Sequence, residues 1–200
     1  FGMGHATPFA QVLSEKLGVP FEKIKLVQGD SDLLVMGGGS GGSKSLMHSG
    51  TAIVEAAAKI IEKGKEAASH VLEAAPSDIE FRQGRFVIAG TDRAISVMEL
   101  ARTLRNGGAK LPSDAPQSLD VTHISDGPGA PTFPNGCHIA EVEVDPDTGV
   151  VDVLTYACVN DFGVVVNPMV VAGQLHGGVV QGIGQALMER TVYDLSLIHI

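Results

Sequence analysis

Residues 36–45, MGGGSGGSKS, set five glycines and three serines around Lys44, directly ahead of a long helical pattern. These residue types are suited to holding an anion. Glycine lets backbone N–H groups come close to a ligand, the Ser40, Ser43 and Ser45 hydroxyls can donate, and Lys44 adds positive charge. The helix behind the loop starts without an evident cap. About four of its N–H groups are therefore left unpaired at the positive end of the macrodipole. Two readings compete, a phosphate cradle that includes Gly41 and Gly42, and a tight structural turn. The GxxxxGK[ST] spacing of a nucleoside-triphosphate loop is not met, so that chemistry is excluded.

Two further stretches have the same character. In FGMGHATPFAQ, residues 1–11, a glycine-flanked turn containing Met3 and Gly4 leads into a helix with His5 and Thr7 at its start. A lone histidine there reads more often as a cap or packing residue than as a catalytic one. Near the other end, Gly173, Gly177, Gly178, Gly182 and Gly184 fall within one helical pattern, where each costs up to about 1 kcal/mol relative to alanine. Gln174, Gln181 and Gln185 share one face of that helix at i, i+7 and i+11. Close helix packing and a bulky polar ligand both explain such a face. Three glycine-rich helix starts together point to a large anionic or polar cofactor held mostly by backbone.

The elements that must position these groups follow from spacing. Phe9, Ala10, Leu13 and Leu17 predict a helix over 7–17, closed by Gly18 and Pro20. IKLVQGD, residues 24–30, alternates like a short strand. Residues 45–74 predict the longest helix, with Leu46, Ile53, Ala57, Ile60, Ala67 and Val71 on one stripe and a Glu55/Lys59 pair on its outer face. Residues 79–90 read as a hairpin about Gln83-Gly84. Residues 96–108 read as a short helix with Ser96 and Glu99 in a capping box and Gly107 as its stop. Five prolines with Gly127, Gly129 and Gly136 make 112–136 a linker or long ordered loop. Residues 138–159 form a hairpin about DPDTG, and Asn167 and Pro168 begin a last helix over 167–190. The class is α+β, two halves of helices packed on short mixed sheets. The expected organisation is 1–115, a connection over 116–136, and 137–200.

Composition narrows the class further. At 200 residues, 44% hydrophobic and 18% charged, the chain is long and apolar enough for a packed core. The net charge of −9 comes without a basic stripe, which argues against nucleic acid. No apolar run reaches the roughly 20 residues of a membrane span. Cys137 and Cys158 lie too far apart for a CxxC site, and the histidines lack metal-ligand spacing, so no protein-ligated metal is expected. The start at Phe1 inside a motif and the close on LSLIHI read as an internal fragment, with 195–200 a non-native tail.

Taken in order, GxGHATPFAQ, GDSD, GGGSGGSKS, HIAEVEVDPDTG, NDFG followed by NPM, GQLHGG and QGIGQAL resemble the molybdopterin-binding large subunit of the molybdenum hydroxylases. That is the family of xanthine dehydrogenase, aldehyde oxidase and aerobic-type carbon monoxide dehydrogenase, and the likeness runs from residue 1 to about residue 194. It implies that Ser40, Ser43 and Ser45 contact the pterin and its phosphate, with Lys44 where many members carry arginine. It implies that Gln174 reaches toward the molybdenum's ligand shell. Gly2-Met3-Gly4 matches a GQG turn, so Met3 replaces a glutamine amide that touches the pterin. The implied cofactor is molybdenum-molybdopterin in its cytosine dinucleotide form, with the metal ligated by the pterin and not by the protein. The implied reaction is hydroxylation of an aldehyde or N-heterocycle by water, or oxidation of carbon monoxide. The family's glutamate base lies in a VGE-type motif downstream of QGIGQALMER, so no catalytic residue is expected in this chain and it is expected to be inactive alone. The resemblance further implies a small iron–sulfur subunit and an FAD-binding subunit, a dimer of heterotrimers, a small-molecule substrate and a cytoplasmic location. A noncatalytic pterin- or nucleotide-binding module is the competing expectation, and Met3 is its main support.

Overall fold

The computed structural model describes residues 2–107, 111–127, 132–193 and 195–196. The chain divides into two compact units, one of Gly4–Thr132 and one of Phe1–Met3 with Phe133–Ile200. Phe1, Gly129 and residues 197–200 of the expected non-native tail lie outside the described residues.

In the first unit, α1 (Ala6–Leu17) and α2 (Ser45–Leu72) pack together, and α2 also covers a three-stranded sheet. That sheet runs β1 (Ile79–Arg82), β2 (Arg85–Ile88), β3 (Ala94–Ser96) in spatial order. Its pairs are antiparallel, with Phe81 opposite Phe86 and Phe86 opposite Ile95. The β1–β2 turn falls at Gln83-Gly84 as its sequence requires, both residues having positive φ, 47° and 78°. Helix α3 (Val97–Arg105) starts on the expected capping box. The Ser96 hydroxyl accepts from the Glu99 N–H at 3.1 Å, and the Glu99 carboxylate accepts from the Ser96 N–H at 3.0 Å. Such a cap stabilises a short helix by about 1 kcal/mol.

The core lies where α2, the sheet and α3 meet. Leu17, Ala57, Ala67, Leu72, Ile79, Phe86, Leu100 and Leu104 are buried, and Phe86 and Leu100 are fully enclosed. Small residues on α2 allow this approach. A methyl group placed at Gly64 would enter the Phe86 ring, so the helix can lie this close to β2 only with glycine there.

In the second unit, β4 (Asn135–Val144) and β5 (Val151–Asp161) form one antiparallel ribbon with a bulge at Glu141/Val142. Its turn is fixed by Asp145, whose carboxylate accepts from the N–H groups of Asp147 at 2.8 Å and Thr148 at 3.1 Å. Those N–H groups, Asp147 first, hold the Asp145 carboxyl below its ordinary range. Helix α4 (Pro168–Leu187) begins as expected, with Asn167 Oδ1 accepting from the Val170 N–H at 2.9 Å. No described residue from 133 onward is buried.

The α+β class therefore holds, with three differences in detail. Both sheets are antiparallel rather than mixed, because each grows from local hairpins. The strand expected over 24–30 does not form. A single 3₁₀ turn at Phe21–Lys23 precedes it, and no described strand pairs with these residues to give their amides a ladder. Glu55 and Lys59 do not pair directly, because His123 sits between them.

Candidate functional site

The glycine loop enters α2 through two consecutive left-handed residues, Gly42 at φ 64° and Ser43 at φ 55°. Serine pays for that conformation where glycine does not, so the backbone at Ser43 is strained. Lys44 occupies the N-cap position, and no side chain caps the helix. Among the described residues, no side chain is seen to accept from the first-turn N–H groups of α2, as the sequence suggested. Ser45 Oγ lies 3.2 Å from Ser40 Oγ, which folds the loop back on itself and gathers both hydroxyls beside the helix start.

The glycines bear on both readings of this loop. Gly37, Gly38, Gly39 and Gly41 have no positive φ, and a methyl group at any of them would meet nothing within 4 Å. Neither turn geometry nor packing within the described chain requires glycine at these four positions. Glycine at these positions leaves the backbone open to close approach by another molecule. On α4, methyl groups at Gly173, Gly177, Gly178 and Gly182 would likewise meet nothing within 4 Å among the described residues.

Near the N-terminus, Gly2 and Gly4 carry positive φ, 72° and 68°, on either side of half-buried Met3. His5 precedes α1 but makes no cap. Its ring stacks on Phe9 with centroids 5.0 Å apart, and Nδ1 lies 3.2 Å from Gln28 Oε1. That oxygen can only accept, so the contact needs the proton on Nδ1.

The predicted residues are thus divided. Gly4, His5, Ser40, Gly41, Gly42, Ser43, Lys44 and Ser45 belong to the Gly4–Thr132 unit, and Met3 and Gln174 to the other. Gln174, Gln181 and Gln185 are all exposed on α4. A separate cleft of about 430 Å³ opens between the β4–β5 ribbon and α4, with Val142, Val153, Val179 and Ile183 in its lining. No predicted site residue lines it. At its polar end, His138 Nδ1 meets the Tyr156 hydroxyl at 2.9 Å and Nε2 meets Asn160 Oδ1 at 3.1 Å.

Sequence reasoning missed a polar seam along α2. Lys63 Nζ donates to the Asp120 carbonyl at 2.7 Å, Lys59 Nζ to His123 Nδ1 at 2.9 Å, and His123 Nε2 to Glu55 at 2.7 Å. Thr132 Oγ1 donates to the Ser43 carbonyl at 3.0 Å, at the loop itself. The partners are 57 to 89 residues apart, so no local spacing announces them. The clue available was the four-residue repeat of Glu55, Lys59 and Lys63. Nearby, His48 Nε2 is buried without a hydrogen-bond partner.

The Ser125 hydroxyl and then His123 lower the pKa of the Glu55 carboxyl. A depressed folded-state value means that its stabilisation is complete above the ordinary carboxylate range and is lost as pH falls through the lowered value. In thermal melts from neutral to acid pH, Glu55→Gln is expected to be less stable than the wild type at neutral pH. The difference should close on acidification, and a gap independent of pH would refute this role for Glu55.

Among the described residues, no group of three or more His, Cys, Asp or Glu could hold a metal ion, and no helix is long and apolar enough to cross a membrane. The sequence profile of the molybdopterin cofactor-binding domain family matches residues 1–196. The chain is 38% identical over 194 residues to the nicotine 6-hydroxylase large subunit of Paenarthrobacter nicotinovorans, covering 96% of this chain and 24% of that relative. It is 33% identical over 193 residues to the carbon monoxide dehydrogenase large chain of Hydrogenophaga pseudoflava, with the same coverage of 96% and 24%. Its structure is similar to reconstituted carbon monoxide dehydrogenase from Oligotropha carboxidovorans, with a TM-score of 0.84, 31% identity, 100% of this chain covered and 24% of the other. The chain thus spans about a quarter of the length of the relatives it matches.

Proposed function

This chain belongs to the molybdopterin cofactor-binding domain family, and from that premise we propose that it is the cofactor-holding segment of a molybdenum hydroxylase large subunit. The observation that carries the reading is the glycine loop, where the chain has left space at four glycines that its own packing does not need. Backbone N–H groups of Gly41, Gly42 and the first turn of α2 would bind the phosphate of the pterin, together with the Ser40, Ser43 and Ser45 hydroxyls. Lys44 would balance its charge. Gly4, His5 and Met3 would border the pterin, and Gln174 would offer its amide near the metal's ligands.

When bound, the molybdenum cofactor supplies a two-electron acceptor for hydroxylation of an aldehyde or N-heterocycle with water as oxygen donor, or for oxidation of carbon monoxide. The described residues contribute binding, charge balance and orientation. We place the general base outside residues 1–200. The electrons must leave through partners, for which we propose a small iron–sulfur subunit and an FAD-binding subunit in a cytoplasmic dimer of heterotrimers. The cofactor is proposed to be the cytosine dinucleotide form.

The expected result is that the purified full-length protein contains molybdenum by metal analysis and pterin by fluorescence after oxidation. A folded protein free of both would overturn the proposal. Met3, which removes an amide donor, favours one competing reading, a module that holds the pterin without turnover. Cofactor-loaded protein inactive toward aldehydes, N-heterocycles and carbon monoxide would support that reading instead.

A further inference from the structure

We propose that His123 is a positioning residue. It clamps the segment 118–127 along α2, and Thr132, later in the chain, holds the strained Ser43 at the mouth of the glycine loop. This rests on reading the loop as the phosphate cradle.

The segment follows α2 from its middle to its start. Leu119 packs against the core, the Asp120 carbonyl accepts from Lys63, and His123 bridges Lys59 and Glu55. Further along, Gly127 lies so close to His48 that a methyl group there would come within 2.9 Å of Nδ1. Thr132 then donates to the Ser43 carbonyl at 3.0 Å. The contacts step down the helix in order, from Lys63 through Lys59, Glu55 and His48 to Ser43.

The bridge uses both ring nitrogens of His123 in opposite senses. An ammonium only donates, so Nδ1 accepts from Lys59, while Nε2 donates to the Glu55 carboxylate. The His123 side chain is only 14% exposed and therefore has few alternative partners in water. The other end needs such a clamp. A left-handed serine persists only where surrounding contacts fix it, and the adjoining N-cap residue, Lys44, makes no side-chain cap. Fixing Ser43 sets the direction of the N–H groups that follow it.

The test is amide hydrogen exchange on full-length protein, made in a host unable to synthesise molybdopterin and, separately, in one that can. In cofactor-free protein, His123→Leu is expected to speed exchange about tenfold in both 118–127 and 36–47, the scale of losing a hydrogen bond to a charged group. His123→Gln, whose amide can accept from Lys59 and donate to Glu55, should restore protection. Thr132→Val should loosen 36–47 alone, and it carries the test if the His123 variants do not fold. Looser 118–127 with unchanged 36–47 in His123→Leu, or unchanged 36–47 in Thr132→Val, would overturn the proposal. In the competent host, His123→Leu should lower molybdenum occupancy while His123→Gln preserves it. A wild type without molybdenum would sink the cofactor reading while the exchange result still judges the clamp.

Discussion

Replacing Ser43 with aspartate in the full-length protein is expected to lower affinity for the molybdenum cofactor by roughly one to two orders of magnitude. The substitution exchanges a hydroxyl donor for a negative charge where we place a phosphate. Hydrogen bonds to charged groups contribute about 1.5–3 kcal/mol, and each 1.4 kcal/mol or so is a factor of about ten in affinity. Repulsion between the two anions adds to this loss. The backbone does not confound the result, because aspartate tolerates the left-handed region in which Ser43 sits at φ 55°. Nor does helix capping, since the start of α2 has no side-chain cap to lose. Molybdenum content and thermal midpoint should therefore separate, the first falling and the second nearly constant. Unchanged molybdenum would reduce the loop to a turn, and a collapsed midpoint at full occupancy would give Ser43 a purely structural role.

Gly18→Ala is expected to destabilise the Gly4–Thr132 unit by about 2–5 kcal/mol, visible as a lower midpoint of urea unfolding. Gly18 ends α1 at φ 60°, and its N–H donates to the Ser14 carbonyl at 2.8 Å. Holding alanine in that conformation costs about 1–2 kcal/mol. The new methyl group would also collide with the backbone of Gln83 and Gly84 in the β1–β2 turn, which cannot swing aside as a side chain could. Overpacking of this kind adds about 1–3 kcal/mol. Gly107→Ala provides the control, because it shares a positive φ of 61° but meets nothing within 4 Å among the described residues. Equal effects at the two positions would show that the close approach of Gly18 and Gly84 contributes nothing.

Elements set by local chemistry were legible in the sequence. The Ser96/Glu99 box, the Gln83-Gly84 turn and the Asn167-Pro168 start each satisfy their backbone groups within a few residues, and all three form. Alternation over 24–30 misled because a strand also needs a partner, which local spacing cannot supply. The Glu55/Lys59 spacing correctly marked the outer face of α2 but missed the third member. His123 lies 68 residues from Glu55, and its role depends on the path of the chain between them. In the candidate site, the residue types of the loop were readable. The strain at Ser43 and its tie to Thr132 were not, because serine carries no sequence signal for a left-handed backbone.

The ribbon and α4 have secondary structure but no interior, since every described residue from 133 onward is at least partly exposed. Ordering each residue costs about 1–2 kcal/mol of backbone entropy, and the burial that normally offsets this is missing. Produced in isolation, the stretch 133–193 should give no calorimetric peak of its own. Both outer edges of its ribbon, ten and eleven residues long, lack strand partners among the described residues, and such edges recruit strands from other molecules. Any cooperativity of this stretch must therefore come from chain that packs against it, and a strand added at either edge would supply part of it.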